Sequence, residues 1–132
     1  MSDLKAAPGF ETHPDYIMNL VPATKGYEVT FGGKLLARSN NAILLEEGKY
    51  QGRLYFPKSD VSDKFLTAND AVTYCPFKGD ARYWDLSVGK VHLEKGAWAY
   101  DHPFSECSSI KEYVCFYTEK DEFEVIEFDD IA

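Results

Sequence analysis

The sequence predicts a mainly β fold, a small domain in which two sheets form a sandwich or a partly open barrel. Three observations support this prediction. Short runs of alternating apolar and polar residues recur at intervals of about 8 to 12 residues, as in sandwiches and small barrels. Gly, Pro, Asn, Asp or Ser residues bound each run. Strands do not alternate with long helical patterns, so a parallel sheet built from βαβ units is not expected.

The clearest predicted element is a hairpin. Residues 27–31 alternate strictly, Gly32-Gly33 is a two-residue turn signal, and residues 34–38 return as the partner strand. Lys120-Asp121 is predicted to form another tight reversal near the C-terminus. The further predicted strands cover residues 42–46, 51–56, 81–86, 90–94, 97–100, 112–118 and 122–128.

Helical signals are few, and they predict one to three short turns. Residues 60–66 are predicted to form one or two turns with Asp60 as the N-cap. Two more short helices are predicted, one over residues 14–20 and one over residues 105–111 after Pro103. We expect residues 1–12 to be a mobile lead-in, residues 13–128 to form a single domain, and residues 129–132 to be an acidic tail.

Composition and charge exclude several functional classes. The chain has 132 residues, 15% of them aromatic, and a formal charge of -8. Residues 119–132 contain seven acids and one lysine, which leaves residues 1–118 nearly neutral. Because there is no basic stripe, a nucleic acid duplex is not an expected partner. No apolar run of about 18 residues and no apolar N-terminal signal occur, so we expect a cytoplasmic protein without a membrane partner.

The cysteines do not form a recognisable framework. Cys75, Cys107 and Cys115 are an odd and widely spaced set, with no C-x-x-C pair. Disulfide frameworks need pairs, and structural zinc sites usually take ligands two by two from tight turns. We therefore predict no metal site and no cofactor.

The densest chemical stretch covers residues 75–84. Pro76 restricts Cys75 to extended geometry and Gly79 permits a positive φ, so Lys78 lies at a turn that can aim its side chain inward. Lys78 would then hold an anionic group and lower the pKa of Cys75, making that thiol a candidate nucleophile. The alternative is that Cys75 is a small buried hydrophobe and Lys78 an exposed turn residue. Two aromatic residues, Tyr83 and Trp84, follow in the next strand.

Two other stretches carry candidate site residues. Trp98 and Tyr100 share a strand face, and they form either the sheet core or one wall of an aromatic pocket. Arg53 and Tyr55 also share a face, and Asp60 follows the next turn. Asp60 is either a helix cap or a group that acts on a ligand.

These segments resemble the family called domain of unknown function 427. The resemblance lies in residues 25–34, 54–61, 75–84, 97–103 and 113–117, above all in the Tyr-Phe-Pro turn that ends at Asp60 and the Cys-Pro-Phe-Lys-Gly turn. It implies a fold of the Mss4-like (β-tent) kind, in which two sheets meet at an angle and leave a groove. Relatives of that shape often hold zinc through C-x-x-C turns, which are absent from this sequence. The implied groove is lined by Tyr55, Trp84, Trp98 and Tyr100, with Arg53, Asp60, Cys75 and Lys78 as polar groups.

Three functional hypotheses follow. The first is a module that binds a small polar or anionic molecule in the aromatic groove. The second draws on the family's nucleotidyltransferase label and is an enzyme acting on a nucleotide or phosphorylated molecule, in which Arg53 and Lys78 neutralise charge while Cys75 or Asp60 reacts. The glycine-serine turn and paired aspartates of that chemistry are not visible in the sequence. The third is a protein-interaction domain that uses an edge strand, within a homo-oligomer.

Overall fold

The computed structural model describes residues 4–48 and 52–129. Strands make up 54% of these residues and helical turns 13%. Within them the strands form two antiparallel sheets that do not close into a barrel. The predicted fold class, a mainly β two-sheet domain with short helical turns, is confirmed.

Ten strands and four short helical elements account for the described regular structure. One α-helical turn, α1, spans Gly9–Thr12, and 3-10 turns span Lys58–Asp60, Asp63–Phe65 and Ser105–Ile110. The strands are β1 (Met18–Pro22), β2 (Gly26–Phe31), β3 (Lys34–Ser39), β4 (Ile43–Glu47), β5 (Arg53–Pro57), β6 (Leu66–Cys75), β7 (Gly79–Val88), β8 (Val91–Ala99), β9 (Tyr113–Phe116) and β10 (Phe123–Phe128).

Among the described residues, the larger sheet has the strand order β1-β4-β5-β9-β8-β7-β6, and the smaller sheet has the order β10-β2-β3. The predicted hairpin joins β2 to β3, and Gly32 and Gly33 have φ values of +56° and +83°. Two consecutive positive φ angles suit a two-residue turn that matches the strand twist. Turns also form around Lys120, where a tight reversal was predicted. The two strands on either side of these turns, β9 and β10, belong to different sheets.

The smaller sheet packs on one face of the larger sheet, here called the inner face. Val29, Phe31 and Leu36 from the smaller sheet meet Phe56 and Leu86 from the larger one in a buried cluster. Successive residues of a strand point to opposite faces of its sheet. The residues adjacent to Phe56 and Leu86 therefore lie on the other side of the larger sheet, here called the outer face. The 3-10 turn Ser105–Ile110 covers part of the outer face.

The N-terminal region differs from the sequence prediction. The helix predicted over residues 14–20 is wrong, because Met18–Pro22 forms a strand that pairs antiparallel with β4. Residues 1–3 of the predicted lead-in lie outside the described residues. The rest is packed rather than extended away from the domain: Ala7 is buried, and the Gly9 amide donates to the Pro76 carbonyl at 3.0 Å.

Three other elements also differ. β6 was not predicted, because its sequence contains Asn69-Asp70-Ala71, which has little strand propensity. Its pairing with β7 shifts register across these residues, and the Asn69 side chain accepts the Ala71 amide at 2.8 Å. The strands predicted over 90–94 and 97–100 form one strand, β8. The turns predicted over 60–66 form only in part, because a 3-10 turn spans Asp63–Phe65 whereas Asp60 ends the preceding turn and Leu66 begins β6.

Candidate functional site

The outer face collects most of the predicted ligand-binding side chains. Alternation along β5, β7 and β8 places Tyr55, Tyr83 and Trp98 there, whereas their neighbours in the inner-face core are Phe56, Trp84 and Ala97. Lys78 and Arg53 approach this cluster at two rings, with Nζ 5.7 Å from the Tyr100 centroid and Cζ 5.0 Å from the Trp98 centroid. Seven of the nine predicted residues therefore lie on this face: Arg53, Tyr55, Cys75, Lys78, Tyr83, Trp98 and Tyr100.

Two predicted residues lie elsewhere. Trp84 belongs to the inner-face core, because it is adjacent to Tyr83 in β7 and adjacent strand residues point apart. Asp60 lies beside β3, where its Oδ2 accepts the Ser39 hydroxyl at 2.6 Å. Asp60 ends the 3-10 turn Lys58–Asp60 instead of starting a helix, so the predicted N-cap role is wrong.

The turn after β6 aims Lys78 into the outer face. Gly79 has a φ of +118°, which favours glycine, and a Cβ at this position would make a tight contact of 3.2 Å with the His102 carbonyl oxygen. The Lys78 side chain is only 14% exposed, and it forms an ion pair with Glu47, which is 16% exposed. The Tyr16 hydroxyl donates to the second oxygen of the same carboxylate.

An aromatic cluster from the N-terminal segment supports this turn. The rings of Tyr16 and Phe77 stack with centroids 3.9 Å apart and planes 13° from parallel. Phe10 meets Phe77 edge-on at 5.1 Å. Because Phe77 precedes Lys78 directly, packing of the N-terminal segment positions the lysine as well as its carboxylate partner.

Arg53 forms a second ion pair on the outer face. Its Nη1 and Nη2 donate to Oε1 and Oε2 of Glu119 at 2.9 and 2.7 Å, a bidentate arrangement. These hydrogen bonds lower the pKa of the Glu119 carboxyl. The guanidinium also lies 5.0 Å from the Trp98 ring centroid and 5.8 Å from that of Tyr117. Arg53 is therefore oriented by a carboxylate and by two aromatic rings.

The outer face also contains two buried tyrosine side chains, Tyr55 and Tyr100. The Trp98 indole Nε1 donates to the Tyr55 hydroxyl at 3.3 Å. Burial raises the pKa of Tyr55 and of Tyr100 well above the ordinary value for tyrosine. Both side chains therefore stay neutral at physiological pH, and their hydroxyls can donate hydrogen bonds.

A cleft of about 750 Å³ joins the two ion pairs. This volume lies within the usual range for pockets that bind small molecules. Among the described residues, the charged side chains that line the cleft contribute no net charge: Glu47, Arg53, Lys78 and Glu119. Its apolar lining includes Leu45, Phe56, Phe116, Phe123 and Val125. The cleft thus offers charged groups of both signs beside apolar surface.

The sequence analysis did not identify Tyr16, Glu47 or Glu119 as site residues. For Glu47 a signal existed, since Leu45 and Glu47 share a strand face and Leu45 is buried. A carboxylate on a buried face indicates a paired charge. No local signal was available for Glu119, because its partner Arg53 is distant along the chain.

The three thiols all lie on the outer face, but they differ in accessibility. Burial raises the pKa of Cys107 and of Cys115 to about 12. The Cys107 thiol also donates to the Phe77 carbonyl at 3.4 Å. Cys75 is partly exposed, unlike the other two. If any thiol reacts in the folded chain, it is therefore Cys75.

We expect Ellman's reagent at pH 8 to modify Cys75 in the folded chain and all three cysteines after denaturation. With a pKa of about 12, roughly one in ten thousand buried thiols is ionised at pH 8. In Cys75→Ser the folded chain should stay unreactive up to pH 9. Rapid labelling of this variant would contradict the assignment.

The raised pKa values of Cys107 and Cys115 also predict that the free energy of unfolding falls above pH 9. In that range the thiols of the unfolded chain lose their protons while those of the folded chain keep them, which favours the unfolded state.

The described residues contain neither a cluster of metal-binding side chains nor a membrane-spanning helix. In the ranges 4–48 and 52–129, no group of three or more His, Cys, Asp or Glu side chains could hold a metal ion. None of the helices in these ranges combines the length and the apolar composition needed to cross a membrane.

The fold and the cleft define a small two-sheet β domain with a charged cleft, which is lined both by outer-face residues and by residues of the core between the two sheets. The chain belongs to the domain of unknown function 427 (DUF427) family, whose model matches residues 19–127. The family resemblance noted in the sequence is therefore confirmed. No curated protein matches the chain.

Proposed function

We propose that the chain is a binding module for a small polar molecule that carries an anionic group. The observation that supports this proposal is that Arg53 and Lys78, which are distant in the sequence, line one cleft beside a cluster of aromatic rings. Pockets that combine apolar walls with a few convergent polar groups are the usual form of small-molecule sites.

Each group has a role in the proposed binding. Arg53 offers a planar fork that matches an oxyanion, and Lys78 offers a compact cation at the other end of the cleft. Trp98 adds a flat apolar surface next to Arg53.

Binding is favoured over catalysis because neither of the two proposed reacting groups lines the cleft. The enzymatic hypothesis needs Cys75 or Asp60 to react next to Lys78, but Asp60 lies beside β3 and accepts the Ser39 hydroxyl. Cys75 alone remains near Lys78, in the same outer-face cluster. Turnover of a nucleotide by the purified chain, lost in Cys75→Ser, would revive that hypothesis.

The first test is native mass spectrometry of the purified chain, alone and with a panel of nucleotides, carboxylic acids and sugar phosphates. Tryptophan fluorescence provides a site-specific readout, because Trp98 lies at the site and Trp84 lies in the inner-face core. We expect a bound molecule to change the emission of Trp84→Phe, in which Trp98 is the remaining tryptophan. If no molecule in the panel binds, the proposal fails.

Arg53→Ala is expected to weaken binding of the ligand found in that panel by about tenfold to a hundredfold. The reason is the loss of charged hydrogen bonds worth about 1.5 to 3 kcal/mol. The matched control is Arg38→Ala, since Arg38 also pairs with a glutamate and lies 4.1 Å from an aromatic ring, but on the smaller sheet. Titration calorimetry should show unchanged affinity for the control. Equal losses in both variants would contradict the site.

A further inference from the structure

We propose that the Glu119 carboxylate binds Arg53 in the position that the carboxylate of a ligand would take. The molecules bound in this cleft are then carboxylic acids that displace Glu119. This inference rests on the proposed binding function and names its ligand class. Glu119 and Arg53 both line the cleft, so displacement would occur at the site itself.

The geometry of the pair is that of carboxylate recognition. Both terminal nitrogens of Arg53 meet both oxygens of Glu119, at 2.9 and 2.7 Å. A guanidinium uses this parallel two-bond arrangement to bind planar carboxylates. Arg53 is already held beside Trp98 and Tyr117, so little rearrangement is needed when one carboxylate replaces another.

Glu119 can leave without disrupting the sheets. It lies between β9 and β10, outside any strand, and its side chain is 48% exposed. The turns around it are closed by backbone bonds from Lys120 to Tyr117 and from Phe123 to Lys120, each 3.1 Å. Rotation of the Glu119 side chain into solvent leaves these bonds intact.

A second arginine–glutamate pair, Arg38 with Glu28, is held in place by the pairing of two strands and serves as a comparison. Arg38 and Glu28 are directly opposite each other in the β2–β3 register. They share one bond, from Nε to Oε1 at 2.8 Å, and neither residue lines the cleft. Strand register therefore holds Arg38 against Glu28, whereas no such constraint holds Glu119 against Arg53.

The rings beside Arg53 indicate the shape of the acid. Trp98 and Tyr117 lie within 6 Å of the guanidinium, and their centroids are 6.2 Å apart. An acid with a flat apolar body can contact these rings while its carboxylate binds Arg53. An aromatic carboxylate is therefore the simplest probe of the class.

Competition by Glu119 should lower the apparent affinity for such an acid. When Arg53 is free of Glu119 for only a fraction of the time, the apparent affinity for the acid is the intrinsic affinity multiplied by that fraction. Partly exposed bidentate pairs are modest in strength, so the open fraction is small but measurable. Removing the competing carboxylate should tighten binding by about threefold to tenfold.

The test is a titration of isotope-labelled chain with benzoate, followed through the Trp98 indole N–H signal. This group donates to Tyr55 and its ring contacts Arg53. Trp84→Phe assigns the signal, because the chain contains two tryptophans. We expect Glu119→Gln and Glu119→Ala to bind benzoate about threefold to tenfold more tightly than the unmodified chain. Glu28→Gln should leave the affinity unchanged.

Benzamide and inorganic phosphate make the test specific. Benzamide has the same shape without the charge, so an equal gain for benzamide would overturn the proposal. A gain for phosphate but not for benzoate would overturn the carboxylate assignment. Unchanged benzoate affinity in both Glu119 variants would overturn the stand-in role. If a panel molecule still binds through Arg53 in that case, the proposed function stands; if nothing binds any variant, both fail.

Discussion

Glu47→Gln is expected to destabilise the chain by about 2 to 3 kcal/mol. Removing one partner of a largely buried ion pair leaves the other charge without compensation, which costs about 3 to 5 kcal/mol when burial is complete. Lys78 and Glu47 keep 14% and 16% of their side-chain exposure, so a somewhat smaller loss is expected. Urea denaturation followed by circular dichroism measures the change.

A double variant separates this charge effect from a loss of shape. In Glu47→Gln/Lys78→Met the uncompensated lysine is gone, so part of the lost stability should return. Glu28→Gln is the exposed control and should change the free energy of unfolding by less than about 1 kcal/mol. If Glu47→Gln behaves like this control, Lys78 is not held by the pair.

Phe31→Ala should have the largest effect on stability, a loss of about 3 to 5 kcal/mol. Phe31 is fully buried where the two sheets meet, and its ring centroid lies 4.9 Å from that of Phe123. Its removal leaves a cavity between the sheets. Domains of this size are stable by about 5 to 15 kcal/mol, so the variant should be close to unfolding in mild denaturant.

Leu35→Ala is the matched control for Phe31→Ala. Leu35 lies in the partner strand of the same hairpin, but it is 46% exposed. The free energy of unfolding should change by less than about 1 kcal/mol, as for most surface substitutions. Equal losses for the two variants in thermal denaturation would contradict the packing of the smaller sheet on the larger one.

Local patterns in the sequence were enough for much of the fold. The Gly32-Gly33 hairpin was predictable because two consecutive glycines permit two positive φ angles between alternating runs. A turn at Lys78 was also predictable from Pro76 and Gly79, but the sequence left open whether the lysine side chain points inward or is exposed. β1 was not predictable, since its five residues are held by pairing with β4 and not by their own propensity.

Face assignments explain where the candidate site residues lie in the fold. Trp98 and Tyr100 are two apart in one region of strand and so share a face, as the sequence indicated. Tyr83 and Trp84 were both assigned to the pocket, although adjacent strand residues point apart, and Trp84 lies in the inner-face core. Asp60 was assigned by its position after a turn, but its side chain bonds to Ser39 of β3.

The sequence by itself determined the fold class, the main hairpin and the residues that share a strand face, because turn chemistry and a two-residue period are local properties. Only the tertiary structure decided which faces meet. It brought Glu47 to Lys78 and Glu119 to Arg53, and it placed both pairs along one cleft. The physical reason is that alternation states which side chains lie together on a strand, whereas the order of strands in a sheet depends on contacts between distant segments.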